Sequence, residues 1–220
     1  MPKILHAVII ANGIMSDLEQ ARAAIQPGDL LIAADGGALN CHRLGLVPQV
    51  VIGDLDSISA AQHSQLASQN TQFIIYPPDK DQTDLELALA YAVEQGMTDI
   101  LLLGLLGGRL DQTLANLLLL SRPTWAAAHL VVADGLDTAT LLRSHQVLTI
   151  LGKPGDTVSL IPLTLQVCGV CTEGLRWPLQ SADLEFGSTW SISNEIISSD
   201  VRVIIGDGQL LVVHRMRSDV

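Results

Sequence analysis

Val50-Val51-Ile52-Gly53-Asp54-Leu55-Asp56-Ser57 runs from an apolar stretch of strand length directly into a loop with two carboxylates, and Ser59-Ala60-Ala61-Gln62 then has the spacing of a helix capping box. The same order of strand, polar loop and helix start recurs over more than half of the chain. Leu5 to Ile10, Leu30 to Ala34, Phe73 to Tyr76, Ile100 to Leu103 and Leu130 to Ala133 read as further strands. Thr83-Asp84-Leu85-Glu86 has the spacing of a second capping box, ahead of Leu87, Leu89 and Tyr91.

These apolar runs are continuous rather than alternating, as strands are when helices cover both faces of a parallel sheet. After about Leu142 the rhythm changes to short alternating segments, such as Thr157 to Ile161 and Val201 to Ile205, separated by Gly, Pro, Asn and Asp. Val203 to Val213, with Gly206-Asp207-Gly208 inside it, reads as a hairpin. The expectation is an α/β chain: an N-terminal parallel-sheet, Rossmann-like catalytic domain over residues 1–144, then a smaller all-β, sandwich-like domain over residues 145–220.

The chain has 220 residues, 48% of them hydrophobic, which suffices for a sizeable core. Its longest apolar stretches, Ile4 to Ala11 and Ile100 to Leu106, fall far short of the roughly 18 residues of a membrane span. His6 and Asn12-Gly13 break the faint likeness of the first residues to a signal peptide, and three cysteines are an odd number for a disulfide framework. A soluble, cytoplasmic protein with no membrane partner is expected. The net charge of −11 argues against a nucleic-acid partner. An acidic protein that binds a polyphosphate needs a divalent cation to mediate, because carboxylate and phosphate repel each other.

Ligands of open parallel sheets bind beyond the carboxyl ends of the strands. The residues there are Asn12-Gly13, Asp35-Gly36-Gly37, Gly53 to Asp56, Asp79 to Asp84, Gly104 to Asp111 and Asp134-Gly135. Any one of these Asp or Gly residues alone is ordinarily a turn former or a cap. Asp84 and Asp111 at helix starts also suit the positive end of the dipole. Asp54 and Asp56 are different: in an extended segment, alternate residues point the same way and would set the two carboxylates side by side. At about 4 Å and an effective dielectric near 20 they would repel by roughly 4 kcal/mol, which a cation would relieve. Carboxylate oxygens suit magnesium, so Asp54, Asp56 and Asp84 are the expected metal ligands.

Gly104 to Asp111 lacks both the Gly-Lys-Ser/Thr of a P-loop and the spacing of a dinucleotide fingerprint. Gly107 and Gly108 would still let backbone amides approach phosphate oxygens, with Arg109 making paired hydrogen bonds and Lys80 a second positive charge. Cys168-Gly169-Val170-Cys171 is half of a zinc site without its other half, and reads as structural.

Asp35-Gly36-Gly37-Ala38, Gly53 to Ser57, Asp81-Gln82-Thr83-Asp84, Gly107 to Asp111 and Ser191-Ile192-Ser193-Asn194-Glu195, in this order, resemble the thiamine pyrophosphokinase family across both expected domains. The resemblance implies transfer of a pyrophosphoryl group from ATP to the hydroxyl of thiamine, giving thiamine diphosphate and AMP. It also implies a homodimer with sites at the subunit interface. Carried over by motif, Asp54, Asp56 and Asp84 would hold Mg2+, and Arg109 and Asp111 would contact the polyphosphate and its metal. Asp35, Gly36, Lys80, Asp81, Thr83, Gly107 and Gly108 would lie on the ATP side, and Ser191, Ser193 and Asn194 near thiamine. Asp84 or Asp111 would be the carboxylate to accept the alcohol proton. One departure stands out: Gln112 follows Asp111 where the family commonly has His, and glutamine does not titrate near neutral pH. A magnesium-dependent phosphohydrolase is the alternative, and a nucleotide-sensing module a third reading.

Overall fold

The computed structural model describes residues 6–218, which fall into two compact units divided between Gly135 and Leu136. Ile4 and Leu5 lie outside the described residues. No helix among the described residues is long and apolar enough to cross a membrane.

In the first unit six strands alternate with helices: β1 (His6–Ile10), α1 (Leu18–Ala23), β2 (Leu30–Ala34), α2 (Gly37–Arg43), β3 (Val50–Gly53), α3 (Ala60–Ser68), β4 (Gln72–Ile75), α4 (Asp84–Glu94), β5 (Asp99–Leu103), α5 (Leu110–Leu119) and β6 (His129–Asp134). Each strand found by its apolar run is present to within about a residue or two at its ends, the usual scatter of strand boundaries. All pair in parallel, in the order β4-β3-β2-β1-β5-β6. The chain therefore works outward from β1 to β4, returns to the other side of β1 and continues outward, which places the switch point between β1 and β5.

Alternation of side chains across the sheet divides the core between two faces. Val8, Ile10, Leu31, Ala33, Val51, Leu101 and Leu103 pack with Ala21, Ala38, Cys41 and Leu44 of α1, α2 and the turn after α2. Helix α4, with Leu85, Leu87, Ala88, Leu89 and Ala92 buried, packs against β1, β2 and β3. The Ser59 capping box forms in full. At Thr83 only half does: Thr83 Oγ1 accepts the Glu86 N–H, while the Glu86 carboxylate pairs with Arg122.

The second unit has two antiparallel sheets. One has the order β12-β9-β14-β7, from β7 (Asp137–Arg143), β9 (Thr157–Pro162), β12 (Asn194–Glu195) and β14 (Gln209–Arg215). The other has the order β11-β10-β13-β8, from β8 (Val147–Leu151), β10 (Gln166–Glu173), β11 (Ala182–Glu185) and β13 (Asp200–Ile204). Both sheets supply one shared core, with Val158, Leu160, Leu210 and Val212 from the first and Ile150, Val167, Leu184, Val201 and Val203 from the second.

The hairpin expected from Val203 to Val213 does not form. β13 pairs with β8 and β10, β14 pairs with β7 and β9, and Ile205 to Gly208 carries the chain from one sheet to the other. The alternating apolar residues of β13 and the continuous apolar run of β14 fit a hairpin equally well, but here the two strands lie in different sheets and bury Val201, Val203, Leu210 and Val212 in one core.

Candidate active site

A cavity of about 630 Å³ lies within the first unit, lined by the loops that follow β1, β2, β3, β4 and β5. Its position at the β1/β5 switch point is the one that the sheet topology favours for a ligand. Two glycines let the β1 and β5 loops meet: a Cβ on Gly13 would stand 2.3 Å from the Gly104 carbonyl oxygen and one on Gly104 2.6 Å from that of Ala11, so there is no room for a side chain. The sixth loop is otherwise employed. Asp134 Oδ1 accepts hydrogen bonds from the N–H and the hydroxyl of Ser16, at 3.0 and 2.9 Å, and Asp134 does not line the cavity.

Asp35, Asp54 and Asp84 come together here, each offering a carboxylate oxygen within 4.8 Å of the other two. Asp35 leads from β2, Asp54 from β3, and Asp84 opens α4. Gly53 permits the gathering, because a Cβ there would lie 2.8 Å from the Asp35 Cβ and 3.1 Å from Asp84 Oδ1. Asp35 is 9% exposed, has a left-handed φ of 42°, and its buried Oδ1 has no hydrogen-bond partner. At these separations each ionised pair repels by about 3 to 4 kcal/mol at an effective dielectric near 20.

Lys80 supplies the one counter-charge within contact of this group among the described residues. Its Nζ lies 3.1 Å from Asp84 Oδ1 and 3.8 Å from Asp54 Oδ2, with the side chain 11% exposed. Burial works against the Lys80 charge, but the ion pair with Asp84, followed by Asp54 and Asp35, outweighs it and holds the ammonium above its ordinary range. Asp84 is pushed up from the usual carboxylate range, chiefly by burial, with Lys80 opposing the rise and Asp35 and Asp54 adding to it.

Asp56 sits at the rim of the same cavity, exposed, outside the group of three. Leu55 turns through a φ of 64°, so residues 54–56 are not extended and the side-by-side placement expected from a strand is replaced by a turn, in which the Asp56 N–H donates to Asp54 Oδ1 at 3.3 Å. Thr83, Gly107, Gly108, Arg109 and Gln112 also line the cavity. Asp81 is exposed, and Gly36 is buried against Asn12. Arg109 grips Asp111 in a fork, Nε to Oδ1 at 3.1 Å and Nη2 to Oδ2 at 2.5 Å, with both side chains largely in solvent. This fork holds Asp111 below the usual carboxylate range.

In the second unit Ser191 is buried and its hydroxyl donates to the Leu160 carbonyl oxygen at 2.7 Å. The Ser193 N–H donates to Ser159 Oγ at 3.0 Å. Asn194 Oδ1 accepts the Trp177 N–H, and its Nδ2 donates to the Trp177 carbonyl oxygen at 2.7 Å. The Asn194 side chain thus braces the backbone of Trp177, which like Trp190 is more than half exposed.

Sequence reasoning passed over both tryptophans and two buried asparagines. Asn40 Nδ2 donates to the carbonyl oxygens of Ala11 and Gly13, at 2.8 and 3.0 Å, and Asn116 Nδ2 donates to that of Leu105 at 3.0 Å. They hold the β1 and β5 loops in place. The available signal was an asparagine inside an otherwise leucine-rich helix, Leu114 to Leu120, where a polar side chain needs a partner if it is buried.

A family model described as thiamin pyrophosphokinase, catalytic domain, matches residues 21–132, just over half of the chain. A second, described as thiamin pyrophosphokinase, vitamin B1 binding domain, matches residues 144–210. The thiamine pyrophosphokinase of Bacillus subtilis is 26% identical over 205 residues, covering 93% of this chain and 96% of the relative. The crystal structure of a Bacillus subtilis thiamine pyrophosphokinase superposes with a TM-score of 0.85 at 25% identity, covering 97% of this chain and 100% of that one. That of Geobacillus thermodenitrificans thiamin pyrophosphokinase gives 0.82 at 27% identity, covering 97% and 99%. With both domain models matched in order and the same two-part architecture in its structural neighbours, the chain belongs to the thiamin pyrophosphokinase family.

Proposed function

We propose that this chain transfers a pyrophosphoryl group from ATP to the hydroxyl of thiamine, giving thiamine diphosphate and AMP. The observation that carries the reading is the cavity at the β1/β5 switch point, where three aspartates and a lysine converge in a chain that also has a B1-binding module. In this reaction the thiamine oxygen attacks the β-phosphorus, the bond between the α- and β-phosphates breaks, and AMP leaves.

The residues fit Mg2+: three hard oxygen donors stand together, and Asp35 Oδ1 is buried with neither a hydrogen bond nor an ion pair. We assign the ion to Asp54 and Asp84, with Asp35 beside them and Asp56 reaching in from the rim. When bound, it would neutralise charge on the phosphate oxygens. The protein's own part is to position and to counter charge, which is most of what phosphoryl transfer asks of an enzyme. Gly107 and Gly108, with φ of 81° and 76°, open the β5 loop to close approach by phosphate, and Arg109 turns its fork from Asp111 to the polyphosphate. While paired to Arg109, Asp111 is a weak base.

Thiamine is a cationic aromatic compound, and we place it near Ser191, Ser193 and Asn194, where Trp177 and Trp190 offer exposed rings. A homodimer accords with the row of exposed leucines on α5, Leu110, Leu114 and Leu118, spaced to form one apolar stripe. We place the enzyme in the cytoplasm, on its odd number of cysteines.

The test is to incubate the purified protein with ATP, Mg2+ and thiamine and to identify the phosphorus-containing products. AMP with thiamine diphosphate is the expected result. Inorganic phosphate released without thiamine would instead indicate a phosphohydrolase, and nucleotide binding without turnover a sensing module.

A further inference from the structure

We propose that Lys80 is the built-in cation of the metal-free site, and that its ammonium must leave Asp84 and Asp54 before a divalent ion can take the three carboxylates. The inference rests on the metal assignment above and adds a competition to it.

The geometry supports competition rather than mere proximity. Nζ is in contact with two of the three carboxylates that a metal ion would use, and the third, Asp35, still has a buried oxygen with no partner. One positive charge against three carboxylates is an incomplete match, which a divalent ion improves. The two cations cannot both hold Asp84 Oδ1 and Asp54 Oδ2 at contact distance without repelling each other.

Lys80 is also placed to move. It lies in the segment between β4 and α4, where residues 76–83 form no helix or strand, and its neighbours Asp79 and Asp81 are exposed. Lysine carries its charge as a compact point on a flexible stem, so it can exchange one set of oxygens for another without needing a fixed approach angle. Lys80 lines the same cavity as Arg109, Gly107 and Gly108, so phosphate oxygens there would receive the displaced ammonium. Arrival of the metal and delivery of Lys80 to the polyphosphate are then one coupled event. Without nucleotide the site holds metal weakly, because the lysine has nowhere better to go.

The test is a Mn2+ titration of nucleotide-free protein, followed by the loss of the free-ion electron paramagnetic resonance signal, for the wild type, Lys80→Met and Lys80→Arg. Lys80→Met should bind Mn2+ about tenfold or more tightly than wild type, in the range of ordinary site-to-site coupling. Its melting temperature in EDTA should fall and then rise on Mn2+ addition by more than that of the wild type. Lys80→Arg, which keeps the charge, should gain no affinity. Equal or weaker Mn2+ binding by Lys80→Met would overturn the proposal, since the lysine would then be a support of the site and not its competitor. If Lys80→Met does not fold without metal, the wild type answers by itself. Reductive methylation followed by mass spectrometry should modify Lys80 faster with Mn2+ than with EDTA, against Lys153 as the internal reference, and an unchanged or slower rate overturns the proposal. Absence of Mn2+ binding in every form, with or without ATP, would instead remove the metal assignment itself.

Discussion

Asp35→Asn isolates the charge of the most buried carboxylate in the cavity from its shape. Asparagine is isosteric with aspartate and is among the residues that best tolerate a left-handed φ such as the 42° seen here, so the backbone has no reason to move. In the metal-free protein the substitution removes two repulsions, toward Asp54 and Asp84, of about 3 to 4 kcal/mol each at an effective dielectric near 20. It also removes an attraction to Lys80 that offsets up to one of them, leaving a gain of about 3 to 4 kcal/mol. At about 2 to 4 °C per kcal/mol for a domain of this size, the melting temperature in EDTA should rise by several degrees. In Mg2+ the order should reverse: the wild type gains stability from the ion, the variant gains little, and its turnover of ATP and thiamine falls. Thermal unfolding in EDTA and in Mg2+, run beside the product assay, checks all three. If Asp35→Asn is less stable than wild type in EDTA, or is stabilised by Mg2+ as much as wild type, the electrostatic account of the cavity is wrong.

Gly53→Ala should lower stability, because its φ of 156° is one that side-chain-bearing residues rarely adopt, and cost on the order of 100-fold in kcat/KM, because its Cβ would displace Asp35 and Asp84, and a shift of about 1 Å in positioning groups has that effect. Arg109→Lys keeps the charge but loses the fork, so the KM for ATP should rise by about tenfold, as for the loss of one charge-assisted hydrogen bond, read by steady-state kinetics. In the second unit, the Asp156 carboxylate accepts the Lys153 and Arg217 N–H groups and pairs with His214. Burial alone would raise its pKa, but these partners hold it below the usual range. Its folded value therefore lies below its unfolded one, near ~3.9, so its contribution is complete above that pH and is lost as pH falls through the folded value. Asp156→Asn should cost about 1 to 3 kcal/mol in urea unfolding at neutral pH and much less in strong acid.

The parallel sheet was legible because its strands are buried on both faces, so their apolar runs are continuous and their ends are marked by Gly and Asp. The cavity was legible for the same reason, since the loop residues at strand ends stand out by contrast. The membership of the acidic group was less so. Asp56 stays at the rim because of a left-handed turn at Leu55, and leucine gives no sign that it will adopt one, while Asp35, with a left-handed φ of its own, joins the group from the end of β2. The second unit was harder still. Alternation in Val201 to Ile204 tells which side of that strand is buried, and the apolar run Leu210 to Val213 marks a strand, but neither tells which strand lies beside it. The asparagines that hold the β1 and β5 loops were hidden because their partners are backbone carbonyls far away in sequence.

The hand-over at Ile205 to Gly208 bears on how the chain is made. β7 is paired by β14, and β8 by β13, across separations of some fifty to seventy residues, so neither early strand has that neighbour until residues 200–215 have been synthesised. The first unit has all six of its strands long before that, and parallel neighbours are available as each arrives. Folding on the ribosome is therefore staggered. The nucleotide-handling half can close while the apolar strands of the other half still wait, and it is in that interval that the chain is most exposed to aggregation.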